Sequence, residues 1–552
     1  MSMAQFRPTD TVDFIVAGIG AAGGVMAKEL STAGFSVVAL EQGPWRHEKD
    51  FKHDEVSVMF RAGLTNDPKK QVNTFRKTPD EPAKQQQAVE YGCMVGGGSV
   101  HFTTNYWRFH PEDFHERSVL GPIPGADLRD WPITYDDLEP YYTKAEWDLG
   151  ISGLGGSNPF DGFRSKPYPL PPMPVKSSGV LFERGAKKLG LHPFPAPLAV
   201  ISQQYRGRPA CVHCGYCEAF GCEVGAKSST LAALIPAAVR TGKCEIRPNS
   251  YVRKIETGKD GRVTGAIYFD TDGREVFQRA KAVVVCANGA ETPRLLLMSK
   301  SNTFPQGLGN ANGNVGKYLM FDNGGLAIGL FEHPLNEYKS VVVTRVLHDY
   351  YRSDPKRGFY GGGGIDGRFD YYPAGCALAG MPPDGPQWGS EWKRDLGQYY
   401  TRLGGALAHA SSLAVEQNSI SLDPRVKDVW GLPAMRVTFK NHPDDLKAAD
   451  FLMERQKEIL LAAGAKKVWA DEGTLGEVTY SRHLMGSCRM GDDPKISVVN
   501  KWNRVHDVPN LFLVDGSSLV TCARQQPTAT IQALAYRLAD HLQKASKRGD
   551  YC

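Results

Sequence analysis

The first forty residues follow a strand, helix, strand order of apolar and polar positions. Residues 12–17 (Val-Asp-Phe-Ile-Val-Ala) form a short apolar run suited to a buried parallel strand. A glycine-rich turn follows, a helical stretch then runs to Ala33 and stops at Gly34, and a second strand is predicted from Phe35 to Leu40. The pattern predicts the opening βαβ unit of a nucleotide-binding domain.

Residues between these elements carry the chemistry of a dinucleotide site. Gly18 permits a tight turn, Gly20 lets the backbone approach a pyrophosphate, and Gly23 lets the helix sit close on the sheet. The helix N-terminus adds N–H groups and a partial positive charge for the phosphates. Glu41 ends the second strand, where its carboxylate can accept hydrogen bonds from a ribose diol. The motif alone does not choose between nicotinamide and flavin, but its position at the start of a long chain favours FAD.

The length of the chain predicts more than one structural unit, and its composition gives only a small net charge. The chain has 552 residues with 65 basic and 60 acidic side chains, a formal charge of +5. At ~100–200 residues per domain this length predicts at least two structural units, and the small charge gives no argument for nucleic acid. The N-terminus lacks a basic region, a twin arginine and a cleavage site, and no apolar run approaches the ~18–20 residues of a membrane helix. We therefore expect no export signal and no membrane span in this chain.

Four further sequence blocks resemble a known family. They read Val-Gly-Gly-Gly-Ser-Val-His at 95–101, Asn-Gly-Ala-Glu-Thr-Pro-Arg-Leu-Leu-Leu at 288–297, His-Leu-Met-Gly-Ser-Cys-Arg-Met-Gly at 483–491 and Asn-Leu-Phe-Leu-Val-Asp-Gly at 510–516. Together with the N-terminal glycine motif, and in this order, the blocks resemble the glucose–methanol–choline (GMC) oxidoreductases over nearly the whole chain.

The resemblance implies an α/β architecture of two domains. A Rossmann-like FAD-binding domain is built from residues 1–120, 226–325 and 476–552. A connecting region with a cysteine loop covers residues 121–225. A substrate-binding domain on a large antiparallel sheet is inserted at 326–475.

The same resemblance implies the residues that meet FAD. Asp515 and Gly516 are expected at the pyrophosphate and ribityl group, Glu41 at the adenosine ribose, and Val252 at the adenine. Backbone of the glycine run, with Gly97 and Gly98, is expected against the isoalloxazine, where any Cβ would collide. His101 and Asn105 follow in the same block. His101 matches a position that carries a covalent flavin link in some pyranose oxidases, and a plain hydrogen-bonding role stays open beside it.

Two residues are predicted to carry the reaction. Oxidation of an alcohol needs a base for the hydroxyl proton, and His483 begins the block that holds the family's catalytic histidine. Its unperturbed pKa near ~6.5 suits a base at neutral pH. Gln526 aligns where the family has a second histidine or an asparagine, and it keeps an amide donor and acceptor on a longer side chain. The neighbouring Gln525 stays open as the true occupant.

A cysteine cluster is the sharpest feature outside the flavin motifs. Cys211, Cys214, Cys217 and Cys222 are spaced Cys-x2-Cys-x2-Cys-x4-Cys. Such short loops are typical of iron–sulfur clusters, because soft thiolates suit iron and sulfide. Zinc competes, although it usually takes two Cys-x2-Cys pairs separated by a longer loop. Sugar dehydrogenases of the family carry a [3Fe–4S] cluster on three cysteines here. Because Cys214 is additional, [4Fe–4S] stays open.

The branch of the family indicates the reaction. Asn288 replaces the usual small residue, as in the bacterial sugar dehydrogenase subunits, and the glucoside 3-dehydrogenase-like subunits are the closest match. We therefore expect oxidation of a secondary hydroxyl of a sugar or glycoside, at C3 of a pyranose, to a ketone. The alternatives are an aldose, gluconate or polyol dehydrogenase, an oxygen-using pyranose oxidase, and, from another class, a flavoprotein that only relays electrons.

The branch also implies partners and a compartment. Electrons are expected to leave through the iron–sulfur cluster to a cytochrome or quinone. A small subunit with an export signal is expected to carry the chain to the periplasm, and a cytoplasmic location is the alternative.

Overall fold

The computed structural model describes residues 3–548 except Ala62, Asp370 and Ala523. Its strands, numbered β1 to β17 in chain order, are Val12–Ala17, Val37–Leu40, Asn73–Arg76, Lys84–Gln85, Phe194–Pro195, Cys244–Arg247, Tyr251–Thr257, Val263–Phe269, Glu275–Val285, Asn323–Leu330, Arg345–Leu347, Gly363–Gly367, Leu403–Ala410, Ser419–Lys427, Pro433–Thr438, Lys467–Ala470 and Leu511–Leu513. Its α-helices, numbered α1 to α12, are Ala21–Thr32, Glu55–Met59, Glu116–Leu120, Tyr135–Leu149, Ser177–Lys188, Thr230–Ala233, Ile235–Arg240, Glu291–Met298, Pro373–Gly375, Gly389–Tyr399, Pro443–Ala463 and Thr528–Lys547.

The first sheet joins strands from three distant parts of the chain. Its order is β6-β2-β1-β9-β8-β7, and β17 also pairs with β9. Strands β6, β2, β1, β9 and β17 run parallel, whereas β7, β8 and the first half of β9 form an antiparallel meander. Helices α1 and α12 pack together beside this sheet, within one apolar core. The parallel strands β1, β2 and β17 are almost entirely buried, which explains why their residues are apolar on both faces.

The N-terminal unit confirms the sequence pattern in its main points. Helix α1 ends at Thr32 and Gly34 follows with a φ of +97°. A Cβ on Gly23 would lie 2.0 Å from the Gly18 carbonyl oxygen, so only glycine lets the helix approach the turn. Strand β2 begins two residues later than predicted, because the Phe35 N–H donates to the Leu30 carbonyl and still belongs to the helix ending.

The second sheet is antiparallel. Its order is β16-β10-β13-β12-β11-β5. The long helix α11 packs on β10 and β13 through side chains such as Leu452 and Leu460, against the small residues of the strands. This sheet agrees with the predicted antiparallel substrate domain. Its short edge strand β5 comes from the predicted connecting region.

A smaller third sheet has the order β14-β15-β3-β4. Strands β3 and β4 lie in the segment 1–120, which was predicted to belong to the FAD-binding domain, but they pair with β15 rather than with the first sheet. The pairing spans more than 350 residues of sequence, as in Met435 opposite Asn73. Short strands carry no signal for so distant a partner.

No helix among the described residues is long and apolar enough to cross a membrane.

Candidate active site

A cavity of about 710 Å³ opens at the carboxyl ends of the parallel strands. Residues that directly follow β1, β2 and β9, and those just after β17, line it, among them Gly18, Glu41, Cys286 and Asp515. Ligands of open parallel sheets bind in this place, because the strand ends and helix N-termini converge there. The cavity continues to the second sheet, where β10 and β13 form its opposite wall.

Most of the predicted site residues share this cavity. The ones that line it are Gly18, Gly20, Glu41, Gly97, Gly98, His101, Val252, His483, Asp515, Gly516 and Gln526. Gly23 does not line it and acts in helix packing. Asn105 does not line it either: it is buried, and its Nδ2 donates to Asp366 at 3.3 Å. The prediction that Asn105 contacts the cofactor therefore lacks support from its position, because the chain turns away after Phe102 and Thr103.

Glu41 is fixed for recognition of a diol. Its carboxylate accepts the backbone N–H groups of Ile19, at 3.1 Å, and Gly43, at 2.9 Å. Burial raises the pKa of Glu41 to about 7, although these N–H groups work against the rise. A hydroxyl of bound ligand that donates to this carboxylate would stabilise the ionised form further.

The glycine run at 96–98 forms a wall without side chains. Gly97 has a φ of +51°, and a Cβ on it would lie 2.7 Å from the Gly20 Cα, so the two glycine turns touch backbone to backbone. Gly98 lines the cavity, and a Cβ there would meet no described atom within 4 Å. The turn is therefore shaped for close approach of a flat group.

Asp515 joins two of the sequence blocks, those at 288–297 and 510–516. Its Oδ2 accepts the Asn288 N–H at 3.1 Å and the Thr292 hydroxyl at 2.6 Å, and its Oδ1 accepts the Ser517 N–H. Asn288 adopts a φ of +87°, and its side-chain oxygen accepts the N–H groups of Ala290 and Glu291 at the start of α8. Asparagine tolerates this left-handed conformation better than most residues.

His101 faces the cavity with an unused ring nitrogen. Its Nε2 is buried and has no hydrogen-bond partner among the described residues. Burial, with help from the Arg482 charge, lowers the pKa of His101 to about 4, which keeps the ring neutral. A buried orphan nitrogen of this kind fits a ligand group in the cavity, either bonded or hydrogen-bonded.

His483 lies in a cluster of four polar side chains. Its Nδ1 donates to Asp322 Oδ2 at 2.6 Å, and the same oxygen is 3.1 Å from His409 Nδ1. The His409 Nε2 and the Gln526 Nε2 are 2.5 Å apart. All four residues line the cavity. Because Asp322 holds the Nδ1 proton of His483, the Nε2 lone pair is left to accept a proton.

The shared carboxylate sets the electrostatics of the cluster. Burial opposes the charged form of His483, but Asp322 outweighs it and raises the pKa of His483. Burial likewise opposes ionisation of Asp322, yet the two histidines hold its pKa well below the usual range. Burial lowers the pKa of His409, so of the two rings His483 is the better acceptor of an added proton. The cluster thus directs a substrate proton to His483.

Asp322 and His409 were missed by the sequence interpretation. Asp322 lies just before β10 and His409 lies in β13, where Gly324 and His409 are direct cross-strand partners. His409 breaks an otherwise small and apolar strand, Leu403–Ala410, which is the one local signal for it. Asp322 has no motif of its own.

A polar wall lies next to this cluster. Arg482 donates to Glu90 at 2.7 Å and to Glu218 at 3.3 Å, and the Tyr480 hydroxyl donates to Glu90. These four side chains line the cavity beside His483. Such a wall offers a ligand several charged and neutral hydrogen-bonding groups.

The four cysteines of the loop are unpaired thiols at the edge of the same region. Cys217 is buried and the other three are half-buried. A zinc ion would hold sulfur atoms about 3.8 Å apart at Zn–S ~2.3 Å. Within the described residues, which include all four, no three of these sulfur atoms lie within 4.8 Å of one another. The described arrangement therefore does not bring three of the thiols as close together as a zinc ion would.

Comparison with known proteins agrees with the architecture. Two family models, both described as GMC oxidoreductase, match residues 12–321 and 414–535. A 2-methyl-1,2-propanediol dehydrogenase of Mycolicibacterium austroafricanum is 35% identical over 97% of this chain and 96% of its own. A gluconate 2-dehydrogenase flavoprotein of Pantoea cypripedii is 31% identical over 95% of this chain and 92% of its own. The predicted family and fold class are thus confirmed.

A solved structure supports the fold alone. Pyridoxine 4-oxidase from Mesorbium loti superimposes with a TM-score of 0.63 at 18% identity, covering 96% of this chain and 98% of its own.

Gly98→Ala is expected to weaken FAD binding while leaving the apoprotein stable. The added Cβ meets no protein atom within 4 Å but lies at the cavity wall. We expect Kd for FAD to rise about tenfold or more, ~1.4 kcal/mol, in a fluorescence titration of apoprotein with an unchanged Tm. Gly397→Ala, in helix α10 and equally open around its Cβ, is the matched control. Equal FAD affinity in the two variants would contradict the assignment of this wall.

Asp322→Asn is expected to move the pH profile. His483 must be neutral to accept a proton, and Asp322 raises its pKa, so activity of the wild type rises with pH through that raised pKa. Without the carboxylate the acidic limb of kcat/KM moves to lower pH, and kcat falls about 10²-fold because the imidazolium loses its counter-charge. The profile is measured on a sugar or diol that bleaches the flavin. Asp384→Asn, at an exposed ion pair, is the control, and an unmoved limb in Asp322→Asn would refute the role.

Proposed function

Because the chain belongs to the GMC oxidoreductase family and is therefore an FAD-dependent enzyme acting on CH–OH donors, we propose that it oxidises a secondary hydroxyl of a sugar or glycoside to a ketone. The observation that carries the proposal is the cluster of His483, Asp322, His409 and Gln526 beside a polar wall. A polyhydroxylated substrate needs many hydrogen-bond partners once it is desolvated, and this wall supplies them. The C3 position of a pyranose is the site that the sequence resemblance favours.

Different residues of the chain have different roles in the dehydrogenation. His483 Nε2 takes the hydroxyl proton, and Asp322 stabilises the imidazolium that forms. The amide of Gln526, oriented by the neutral ring of His409, holds the hydroxyl oxygen, which becomes the carbonyl oxygen. FAD, when bound, supplies the acceptor for the hydride that leaves the carbinol carbon with the C–H electron pair. The substrate thus loses one proton and one hydride, and a C=O bond replaces the C–H and O–H bonds.

A diol or polyol is the second candidate substrate. The relative at 35% identity is a dehydrogenase of 2-methyl-1,2-propanediol, whose tertiary carbon carries no hydrogen, so only its primary hydroxyl can be oxidised. The relative at 31% identity is named for oxidation at position 2 of gluconate, a secondary hydroxyl. A ketone product favours the sugar reaction and an aldehyde product favours the diol reaction.

We further propose that the four cysteines hold an iron–sulfur cluster, [3Fe–4S] or [4Fe–4S]. The donor set fits: four thiols lie within twelve residues, and none of them is in a disulfide. Such a cluster, when bound, supplies one-electron steps out of a two-electron flavin. Glu218, one residue after Cys217, and the flavin-side His101 line the same cavity, so the loop lies beside the reaction site.

The partners follow from this electron route. We propose delivery to a cytochrome or quinone, and a small companion subunit that carries an export signal. On this proposal the enzyme works in the periplasm, and the alternative is the cytoplasm.

His483→Gln is expected to abolish substrate-dependent bleaching of the flavin. Anaerobic stopped-flow reduction with a panel of pyranoses, glycosides and diols should slow about 10²–10⁴-fold, while dithionite still reduces the bound flavin. His333→Gln, at an exposed position, is the control. NMR of the wild-type product locates the new carbonyl. If no sugar or glycoside bleaches the wild-type flavin, the proposed substrate class is wrong.

Protein purified without oxygen is expected to contain three or four irons and four sulfides for each FAD. Cys217→Ser should lower the iron content and slow transfer to an external dye, yet leave bleaching by substrate intact, because the first half-reaction needs only flavin and base. Cys244→Ser, at a buried cysteine in β6, is the control. Zinc in place of iron would refute the iron–sulfur cluster. Peroxide formation as fast as dye reduction would refute electron transfer through the cluster.

A further inference from the structure

A fully buried lysine lies between the cysteine loop and the flavin-side turn. Lys227 is 2% exposed, and its side chain enters the interior between the two segments. Its ammonium donates to the carbonyl oxygens of Val100 and Phe102 at 3.1 and 3.0 Å, on either side of His101. The carbonyl oxygens of Cys217 and Phe220, at 2.6 and 2.8 Å, share the three N–H groups of the ammonium with these two. The Lys227 ammonium therefore links the cysteine loop to the turn that holds His101.

Two further contacts join the same segments. The Ala219 N–H donates to the His101 carbonyl at 2.8 Å, so the cysteine loop bonds directly to the residue that faces the cavity. The backbone N–H of Lys227 lies 3.5 Å from the Cys222 sulfur and points its hydrogen at it. Lys227 thus contacts the loop through both its side chain and its backbone.

The charge of Lys227 lacks a carboxylate partner. Within the described part of the chain no aspartate or glutamate forms an ion pair with it, and the nearby Glu218 is engaged by Arg482. A buried ammonium that meets only carbonyl groups is costly, since dipoles compensate a charge less than a counter-ion does. The ammonium is bonded to the Cys217 carbonyl oxygen and the Lys227 N–H to the Cys222 sulfur, so negative charge on a group held by these cysteines would lie beside it.

We infer that Lys227 is the buried counter-cation of the cysteine loop, a positioning residue that ties the loop to the His101 turn and raises the reduction potential of the group the cysteines hold. The inference rests on the proposed iron–sulfur cluster. Reduction adds negative charge to a thiolate-bound cluster, and a fixed positive charge nearby stabilises the reduced form more than the oxidised form. A low-dielectric interior makes this effect larger than at a surface.

The test is an EPR-monitored redox titration of anaerobically purified holoenzyme. In Lys227→Met the reduction equilibrium constant of the cluster is expected to fall at least about tenfold, a shift of about 59 mV to lower potential for one electron. Lys227→Arg keeps the charge and is expected to stay near the wild-type potential. Lys243→Met, at an exposed lysine, is the control. FAD content and Tm are recorded for every variant.

Each outcome bears on a separate statement. Iron and sulfide in the wild type test the proposed cluster, and their absence removes both the cluster and this inference. A wild-type cluster whose potential is unchanged in Lys227→Met overturns the inference alone. Loss of iron in Lys227→Met, with iron retained in Lys227→Arg, supports the inference, because only the arginine variant keeps the positive charge. Loss of iron in both variants overturns the charge role.

Discussion

The pairing of β9 with both β1 and β17 is the constraint on which the site depends. Val283–Val285 lies between Ile15–Ala17 on one side and Leu511–Leu513 on the other, in parallel register. This ladder brings the turns after three strands to one edge of the sheet. Residues separated by some 500 positions, Gly18 and Asp515, therefore line one cavity. Parallel strands must be connected through crossovers, which leaves room for the large inserted domain.

The second constraint is electrostatic. Asp322 shares one oxygen between two histidines, and the difference in their environments assigns the proton to His483 while His409 stays neutral. Two neighbouring groups with opposite pKa shifts are typical of acid–base sites. Gln526, at the other end of His409, completes a chain of hydrogen-bonding groups along the wall. Gln526, which was predicted from the family motif, therefore has a hydrogen-bonding partner, His409, that lies outside this motif.

Charge compensation also governs the cysteine loop. Lys227 brings a positive charge to the loop: its ammonium bonds the carbonyl oxygens of Cys217 and Phe220, and its backbone N–H bonds the Cys222 sulfur. Arg482 and Glu218 form a second charged pair between the loop and the base-bearing segment. Polar contacts thereby hold the cysteine loop against the His101 turn and against the segment that carries His483. Such contacts fix distances more specifically than apolar packing does.

The sequence by itself determined the opening βαβ unit, the glycine turns, His483 and the cysteine loop, because each depends on a local pattern within about forty residues. Glycines at 18, 20 and 23 and the strand boundaries around them need no distant partner to be recognised. Tertiary structure alone decided the pairing of β3 with β15, the exclusion of Asn105 from the cavity, and the meeting of Asp322, His409 and Lys227 with their partners. These contacts join residues far apart in sequence, and the free energy that selects them comes from burial and charge compensation, which no local pattern encodes.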